Sequence, residues 1–270
     1  MSPDRVRCVE HAAADGARNM GVDEALMGAA RTGEVVLRLY GWSPPCLSFG
    51  RHQRARGRYD ADAAARRGID LVRRPTGGRA VFHHREVTYA VAAPADLWGG
   101  LRPSYRTINR ALARGLRRLG VDVEAAAGEG RAPGLSARAC FRDPLPGELV
   151  AAGRKLVGSA QWRRDGALLQ HGSVLLHDDQ GEADRLRAEG RETSDASGDP
   201  GEAGDEGSAA SLSGLLGRTP SGDEVAAALR SGFAEELGAR LERAGLAPEE
   251  EERADRLEER YRSDEWTWRR

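Results

Sequence analysis

Two positions in this 270-residue chain carry side chains suited to covalent chemistry: Cys140 in Ala139-Cys140-Phe141, and Lys155 in Gly153-Arg154-Lys155-Leu156-Val157-Gly158-Ser159-Ala160-Gln161. A cysteine attacks as the thiolate, and near pH 7 only about a few per cent of an unperturbed thiol is ionised. A neighbouring ammonium favours the thiolate, each pKa unit of lowering being worth about 1.4 kcal/mol. Lys155 is the only lysine; the other 40 cationic side chains are arginine. Where any cation would serve, this chain uses Arg. The one Lys therefore marks a place that needs a compact, deprotonatable ammonium rather than a planar guanidinium. The competing reading is a buried structural cysteine and a leftover surface lysine.

A second dense segment is Arg73-Arg74-Pro75-Thr76-Gly77-Gly78-Arg79-Ala80-Val81-Phe82-His83. Adjacent glycines between strands let a ligand approach the backbone, since no Cβ stands in the way. The flanking cations have the charge to meet a carboxylate, a phosphate or an acid of a carrier protein; the competing reading is an ordinary strand–turn–strand. His83 and His84 are adjacent on a strand and face opposite ways, so at most one lines a pocket. A nucleotide-binding loop is excluded: Gly153-x-x-x-x-Gly158 is followed by Ser159-Ala160, where a P-loop has Lys-Ser/Thr.

The elements that must hold these residues are legible in the pattern. Residues 19–31 read as a helix, residues 34–40 and 46–49 as strands, and residues 60–67 as a short helix ending at Gly68. Three β-type runs follow at 69–73, 79–83 and 86–92. An amphipathic helix covers 103–119, with Ile108, Leu112 and Leu116 at helical spacing. A β-rich block over 138–176 turns at Ala152-Gly153 and at Asp165-Gly166, a strong hairpin pair. A capping box at Ser221-Gly222-Asp223-Glu224 opens a helix with Val225, Leu229, Phe233, Leu237 and Leu241 on one face, and an acidic helix runs from Pro248 to Tyr261. The order is mixed rather than alternating, which predicts an α+β fold with a mixed sheet flanked by helices.

Composition removes several classes of function. With 41 basic and 42 acidic residues the formal charge is −1, which reads against a nucleic-acid binder. No apolar run approaches the roughly 18–20 residues a membrane span needs, and the polar N-terminus reads against a secretory signal. Cys8, Cys46 and Cys140 are odd in number with no CxxC pair, so neither a disulfide framework nor a zinc site is expected, and a reduced cytoplasm fits. From Arg187 to Ser211 no side chain larger than alanine is apolar, which predicts a mobile surface insert.

Taken together, residues 73–83, Glu86-Val87-Thr88-Tyr89, Cys140-Phe141, the 153–161 block and Leu169-Gln170-His171-Gly172 resemble the lipoate/biotin ligase superfamily. Within it the chain looks most like the LipM-type octanoyltransferases. The likeness is strong from about Met20 to Leu176, and Trp266-Thr267-Trp268 is family-like too. The resemblance implies a biotin/lipoate-ligase-like catalytic domain over 1–180 and C-terminal helices over 212–270 packing on the same domain; the flexible Gly/Ser/Asp/Glu-rich insert over 181–211 is read from composition, and its 187–211 stretch is foreign to the family pattern. It implies that Cys140 is the acyl-thioester nucleophile and that Lys155 lowers its pKa or meets the acyl carbonyl. Arg74, Gly77, Gly78, Arg79, Ala80, His83, Gly158, Ser159 and Ala160 would line the acyl pocket. The donor implied is octanoyl-acyl carrier protein. The acceptor is a lipoyl-domain protein, such as the glycine cleavage H protein or a 2-oxoacid dehydrogenase E2. No cofactor, metal, nucleic acid or membrane is implied, and a monomer is expected. The alternatives are an ATP-dependent lipoate–protein ligase, a transferase between two lipoyl domains, and a non-catalytic binder of carrier domains. Pro146-Gly147 departs from the family pattern, where a small polar and an aromatic residue are expected.

Overall fold

The protein is described by a computed structural model that covers residues 3–127, 147–188 and 209–270. Its strands are β1 (Arg5–Glu10), β2 (Val36–Tyr40), β3 (Cys46–Phe49), β4 (Asp70–Arg73), β5 (Val81–His83), β6 (Glu86–Pro94), β7 (Glu124–Ala125), β8 (Leu149–Ala151), β9 (Arg154–Arg164), β10 (Ala167–Leu175) and β11 (Arg240–Arg243). The helices are α1 (Gly16–Ala25), α2 (Met27–Arg31), α3 (Ala61–Arg66), α4 (Leu101–Arg118), α5 (Glu182–Arg185), α6 (Leu212–Leu216), α7 (Gly222–Leu237), α8 (Pro248–Arg262) and α9 (Asp264–Thr267).

Among the described residues the large sheet runs β11-β1-β2-β6-β10-β9-β8-β7, and a small sheet runs β4-β3-β5. The large sheet is mixed: β1 pairs in parallel with β11 and β2, and the remaining ladders are antiparallel. Both hairpins around β9 turn through residues with positive φ, Ala152 and Gly153 on one side and Asp165 and Gly166 on the other. That geometry matches the right-handed twist of the strands and places residues 154–164 beside 167–175 in a fixed register.

Period-2 alternation gives each strand two faces. One face of the large sheet buries Leu37, Tyr89, Val91 and Leu168 against α4 and α7, through Ile108, Leu112, Leu229 and Phe233. The other buries Val36, Ala90, Ala92 and Leu169 against Met20 and Leu26 of the N-terminal helices and Tyr261 of α8. Beside these helices the small sheet covers that second face, and its own far side carries Leu47, Phe49, Ala80 and Phe82. The α+β architecture with a mixed sheet is the one the pattern predicts.

Three details depart from the sequence reading. Residues 5–10 form β1, and residues 240–243 form β11 rather than the end of a helix; α7 stops at Leu237 because Gly238 takes a left-handed conformation. Leu241 therefore sits in the sheet. The stretch expected to be flexible from 181 instead contains α5, with Ala183 and Leu186 buried. At its other end Ala209 and Ala210 are buried, and Ala210 N donates to Lys155 O at 2.9 Å. Residues 189–208 of the insert lie outside the described residues. No helix among the described residues is long and apolar enough to cross a membrane.

Candidate active site

The small sheet faces the large one across a narrow cavity of about 90 Å³. Alternation decides which residues reach it. On β3 and β5, Leu47, Phe49 and Phe82 point to the outer cluster, so Ser48, Val81 and His83 point inward. From the large sheet come Tyr40, Thr88, His171 and Ser173, with Gly158, Ser159 and Ala160 of β9; Met20, Trp42, Arg74, Gly78, Glu148 and Gly172 complete the wall. Gly172 must be glycine: a Cβ there would stand 2.2 Å from Gly158 O.

The polar groups in the wall form two buried chains. In the first, His83 Nε2 meets Ser48 Oγ at 2.7 Å and its Nδ1 meets Glu86 Oε1 at 2.9 Å. Ser173 and Thr88 donate to the same carboxylate oxygen, and the His83 ring stacks on Trp42 with centroids 4.0 Å apart. In the second, Thr76 Oγ1 meets His171 Nε2 at 2.7 Å, and His171 Nδ1 meets Asp23 Oδ2 at 2.8 Å. Arg38 donates to Asp23 Oδ1 at 2.6 Å and Tyr40 to Oδ2 at 2.9 Å.

Burial would raise the Asp23 pKa, but Arg38 and His171 outweigh it and hold the carboxyl below its usual range. Burial lowers the His171 pKa, with Asp23 opposing, so the imidazole is neutral near pH 7. A neutral His171 facing a carboxylate carries its proton on Nδ1, which leaves Nε2 to accept from the Thr76 hydroxyl. The carboxylate thus fixes the turn that carries Gly77 and Gly78.

Arg74 sits against the cavity, yet its guanidinium is held by protein oxygens: Ser48 O and Oγ, both at 3.0 Å, Gly77 O at 2.9 Å and Arg79 O at 2.7 Å. Arg73 is fully buried and donates to Gly50 O and Gln53 O at 2.6 and 2.7 Å and to Thr267 O at 2.9 Å. Arg74 thus clamps the turn, and Arg73 ties the 50–53 loop to the C-terminal segment, rather than either pointing freely at a ligand.

Lys155 is buried to 1 % exposure, and its Nζ donates to Glu148 Oε1 at 2.7 Å. The leftover-surface-lysine reading therefore fails. Glu148 is itself a wall residue, so the ion pair sits at the cavity's edge. Of the residues the sequence proposed, Arg74, Gly78, His83, Gly158, Ser159 and Ala160 come together around one cavity. Gly77 and Arg79 stand outside its lining, and Ala80 packs into the outer apolar cluster because it alternates with Val81. His84 turns outward and meets Asp179 at 3.5 Å, as strand alternation requires. Cys140 lies outside the described residues. The other two thiols are poor nucleophiles: burial, followed by Glu10, pushes Cys8 up to about 11, and burial pushes Cys46 well above the usual range.

Sequence reasoning missed Glu148, Asp23 and Ser48, and it quoted Glu86 and Thr88 within a motif without assigning them a site role. Most carried a signal, a polar residue at an inward position of an apolar strand, as in Cys46-Leu47-Ser48-Phe49.

Residues 15–234 match the family model described as the lipoyl protein ligase A/B catalytic domain. The chain belongs to this family. Among its relatives, octanoyltransferase LipM of Kyrpidia tusciae is 48 % identical over 261 residues, covering 93 % of this chain and 94 % of that one. Octanoyltransferase LipM of Symbiobacterium thermophilum is 40 % identical, covering 94 % of this chain and 95 % of its own. Among solved structures, lipoate-protein ligase A bound with ATP superposes with a TM-score of 0.78 at 24 % identity, covering 98 % of each chain, a likeness of fold. Protein Ta0514 of T. acidophilum with bound lipoic acid gives a TM-score of 0.76 at 25 % identity, again covering 98 % of each chain.

Proposed function

We propose that this chain is an octanoyltransferase of protein lipoylation, working through a thioester on Cys140. The observation that carries this reading is the single lysine, buried and ion-paired at the wall of a narrow cavity between two sheets. Full-length similarity to LipM octanoyltransferases supports it. The donor is octanoyl-acyl carrier protein. The acceptor is a lysine of a lipoyl domain, that of the glycine cleavage H protein or a 2-oxoacid dehydrogenase E2, and the reaction takes place in the cytoplasm on a monomeric enzyme.

In the first step the Cys140 thiolate attacks the thioester carbonyl, the carrier thiolate leaves and takes a proton, and the octanoyl group is held on sulfur. This exchange of one thioester for another is nearly isoenergetic, so no ATP is consumed. In the second step the acceptor's ε-amine attacks the enzyme thioester, an amide forms, and the Cys140 thiolate departs while the amine loses its proton. The amide lies downhill of the thioester, and the covalent intermediate divides a three-body encounter into two binary ones. Lys155 supplies the positive charge that favours thiolate at Cys140 or meets the carbonyl oxygen as charge builds on it. Gly78, His83 and the 158–160 segment line the path of the acyl chain.

Intact-mass analysis after incubation with octanoyl-acyl carrier protein and no ATP tests this reading. One octanoyl adduct, released by hydroxylamine and absent in Cys140→Ser, is expected. A strict ATP requirement, or labelling of Cys8 or Cys46, would overturn it.

A further inference from the structure

Outside the cavity, tryptophan and arginine side chains alternate in a ladder. The Arg164 guanidinium lies 5.9 Å from the Trp162 ring centroid, and Arg51 lies 5.2 Å from the same ring and 6.0 Å from Trp266. Arg269 then covers Trp266 at 3.8 Å. Two connections bind this ladder to the cavity's rim. Trp162 lies two residues beyond Ala160 on β9 and so shares the inward face of that strand. Arg51 N donates to Thr76 O at 2.7 Å, and Gly50 presses so closely on the turn that a Cβ would stand 1.9 Å from Gly78 O.

Exposed around the ladder are Arg54, Arg56, Arg164 and Arg270, with His52 among them, and three carboxylates: Asp165, which pairs with Arg164 at 3.1 Å, and Asp264 and Glu265 just ahead of Trp266. Among the described residues, no carboxylate side chain lies within ion-pair distance of Arg51, Arg54, Arg269 or Arg270, whereas most other arginines here have one. Burial and then Arg51 and Arg270 push the Arg269 pKa down, and the same arginines push His52 down after burial. In a chain of net charge −1, four arginines gathered without a carboxylate partner among the described residues are a local asymmetry. A clasp for the C-terminal segment accounts for Trp266, whose Nε1 donates to Arg73 O at 2.8 Å. The clasp also takes Arg56, which donates to Trp268 O at 2.9 Å, but it does not account for the exposed Arg54 and Arg270 side chains, whose mutual repulsion with Arg51 and Arg269 is a cost unless an anionic surface answers it.

We propose that this Arg–Trp face docks the acidic surface of the carrier domain that delivers the acyl group. The inference rests on the acyl-transfer reading above. The donor is the occupant because its acyl arm is joined to the carrier through a phosphodiester, so anionic charge accompanies the thioester to the rim at Gly78 and Ala160. The acceptor domain and nucleic acid are outcomes of the test. Contacts at such a rim act mainly on encounter and are screened by salt over about 8 Å at physiological ionic strength.

The test compares two donors, octanoyl-acyl carrier protein and octanoyl-pantetheine, which has neither carrier nor phosphate. The variants are Arg54→Glu with Arg270→Glu, at exposed positions away from the cavity wall, and separately Arg51→Ala. For the charge-reversed enzyme KM for the carrier-borne donor should rise about tenfold at low salt, the difference shrinking as NaCl is added. kcat/KM for octanoyl-pantetheine should stay unchanged. Equal losses with both donors, no change with either, or a rise confined to KM of the acceptor domain would overturn the proposal. Fluorescence anisotropy of a labelled carrier domain is measured in parallel. Wild-type binding that the reversal weakens, without turnover in any variant, would refute the acyl-transfer reading and leave the docking surface standing. Binding that is indifferent to the reversal, or a preference for a nucleic acid duplex over the carrier, would refute the docking surface itself.

Discussion

Replacing Lys155 by Met should destabilise the protein by about 3–5 kcal/mol, because it removes the ammonium paired with a Glu148 side chain that is only 5 % exposed. Glu148→Gln should cost a comparable amount, leaving the ammonium buried without its carboxylate. Against a total stability of about 5–15 kcal/mol, either loss is large enough to read in urea unfolding. The double variant has neither charge to desolvate, so it should lie well short of the sum of the singles, with a coupling of at least about 2 kcal/mol. Lys155→Arg keeps the charge but forces a longer planar group into a site with 1 % exposure, an overpacking cost of about 1–3 kcal/mol. Its acylation rate should fall by at least about tenfold, roughly 1.4 kcal/mol of transition-state stabilisation. Single-turnover acylation by mass spectrometry and urea melts of the wild type and the four variants supply both readouts. Additivity within about 0.5 kcal/mol would show that the two groups do not act as a pair. An unchanged rate in Lys155→Arg would show that charge alone suffices at this position.

Iodoacetamide at pH 8 should modify Cys140 well before Cys8 and Cys46, whose thiols burial holds up; peptide mapping that finds Cys46 first would contradict this. Gly172→Ala should cost about 1–3 kcal/mol, since the new methyl meets Gly158 O, and thermal melts that match wild type would refute that close approach. His171 adds a pH dependence. Its folded pKa is depressed, so its contribution is complete above the ordinary value of 6.5 and is lost as pH falls through the lowered folded value. The Asp23 contribution behaves likewise at lower pH, complete above 3.8 and lost below its depressed folded value. Unfolding free energy measured from pH 8 to 5 should therefore drop less steeply in His171→Gln than in wild type; parallel curves would refute the assignment.

Local pattern determined much of this protein. Alternation in residues 46–49 and 79–83, the helical spacing of Ile108, Leu112 and Leu116, and the Asp165-Gly166 turn each name an element and its inward face, because backbone geometry and burial act within a few residues. The lone lysine among arginines was legible as a special cation from counting alone. What a cation or carboxylate meets was not legible, since partners such as Asp23 and His171, or Arg73 and Thr267, are separated by 148 and 194 residues. Only tertiary structure assigned Arg73 and Arg74 to backbone carbonyls, turned residues 240–243 into a strand beside β1, and set Glu148 against Lys155. Desolvation explains the difference: a buried charge must find its counterpart wherever the packed chain brings one, and sequence spacing carries no record of that meeting.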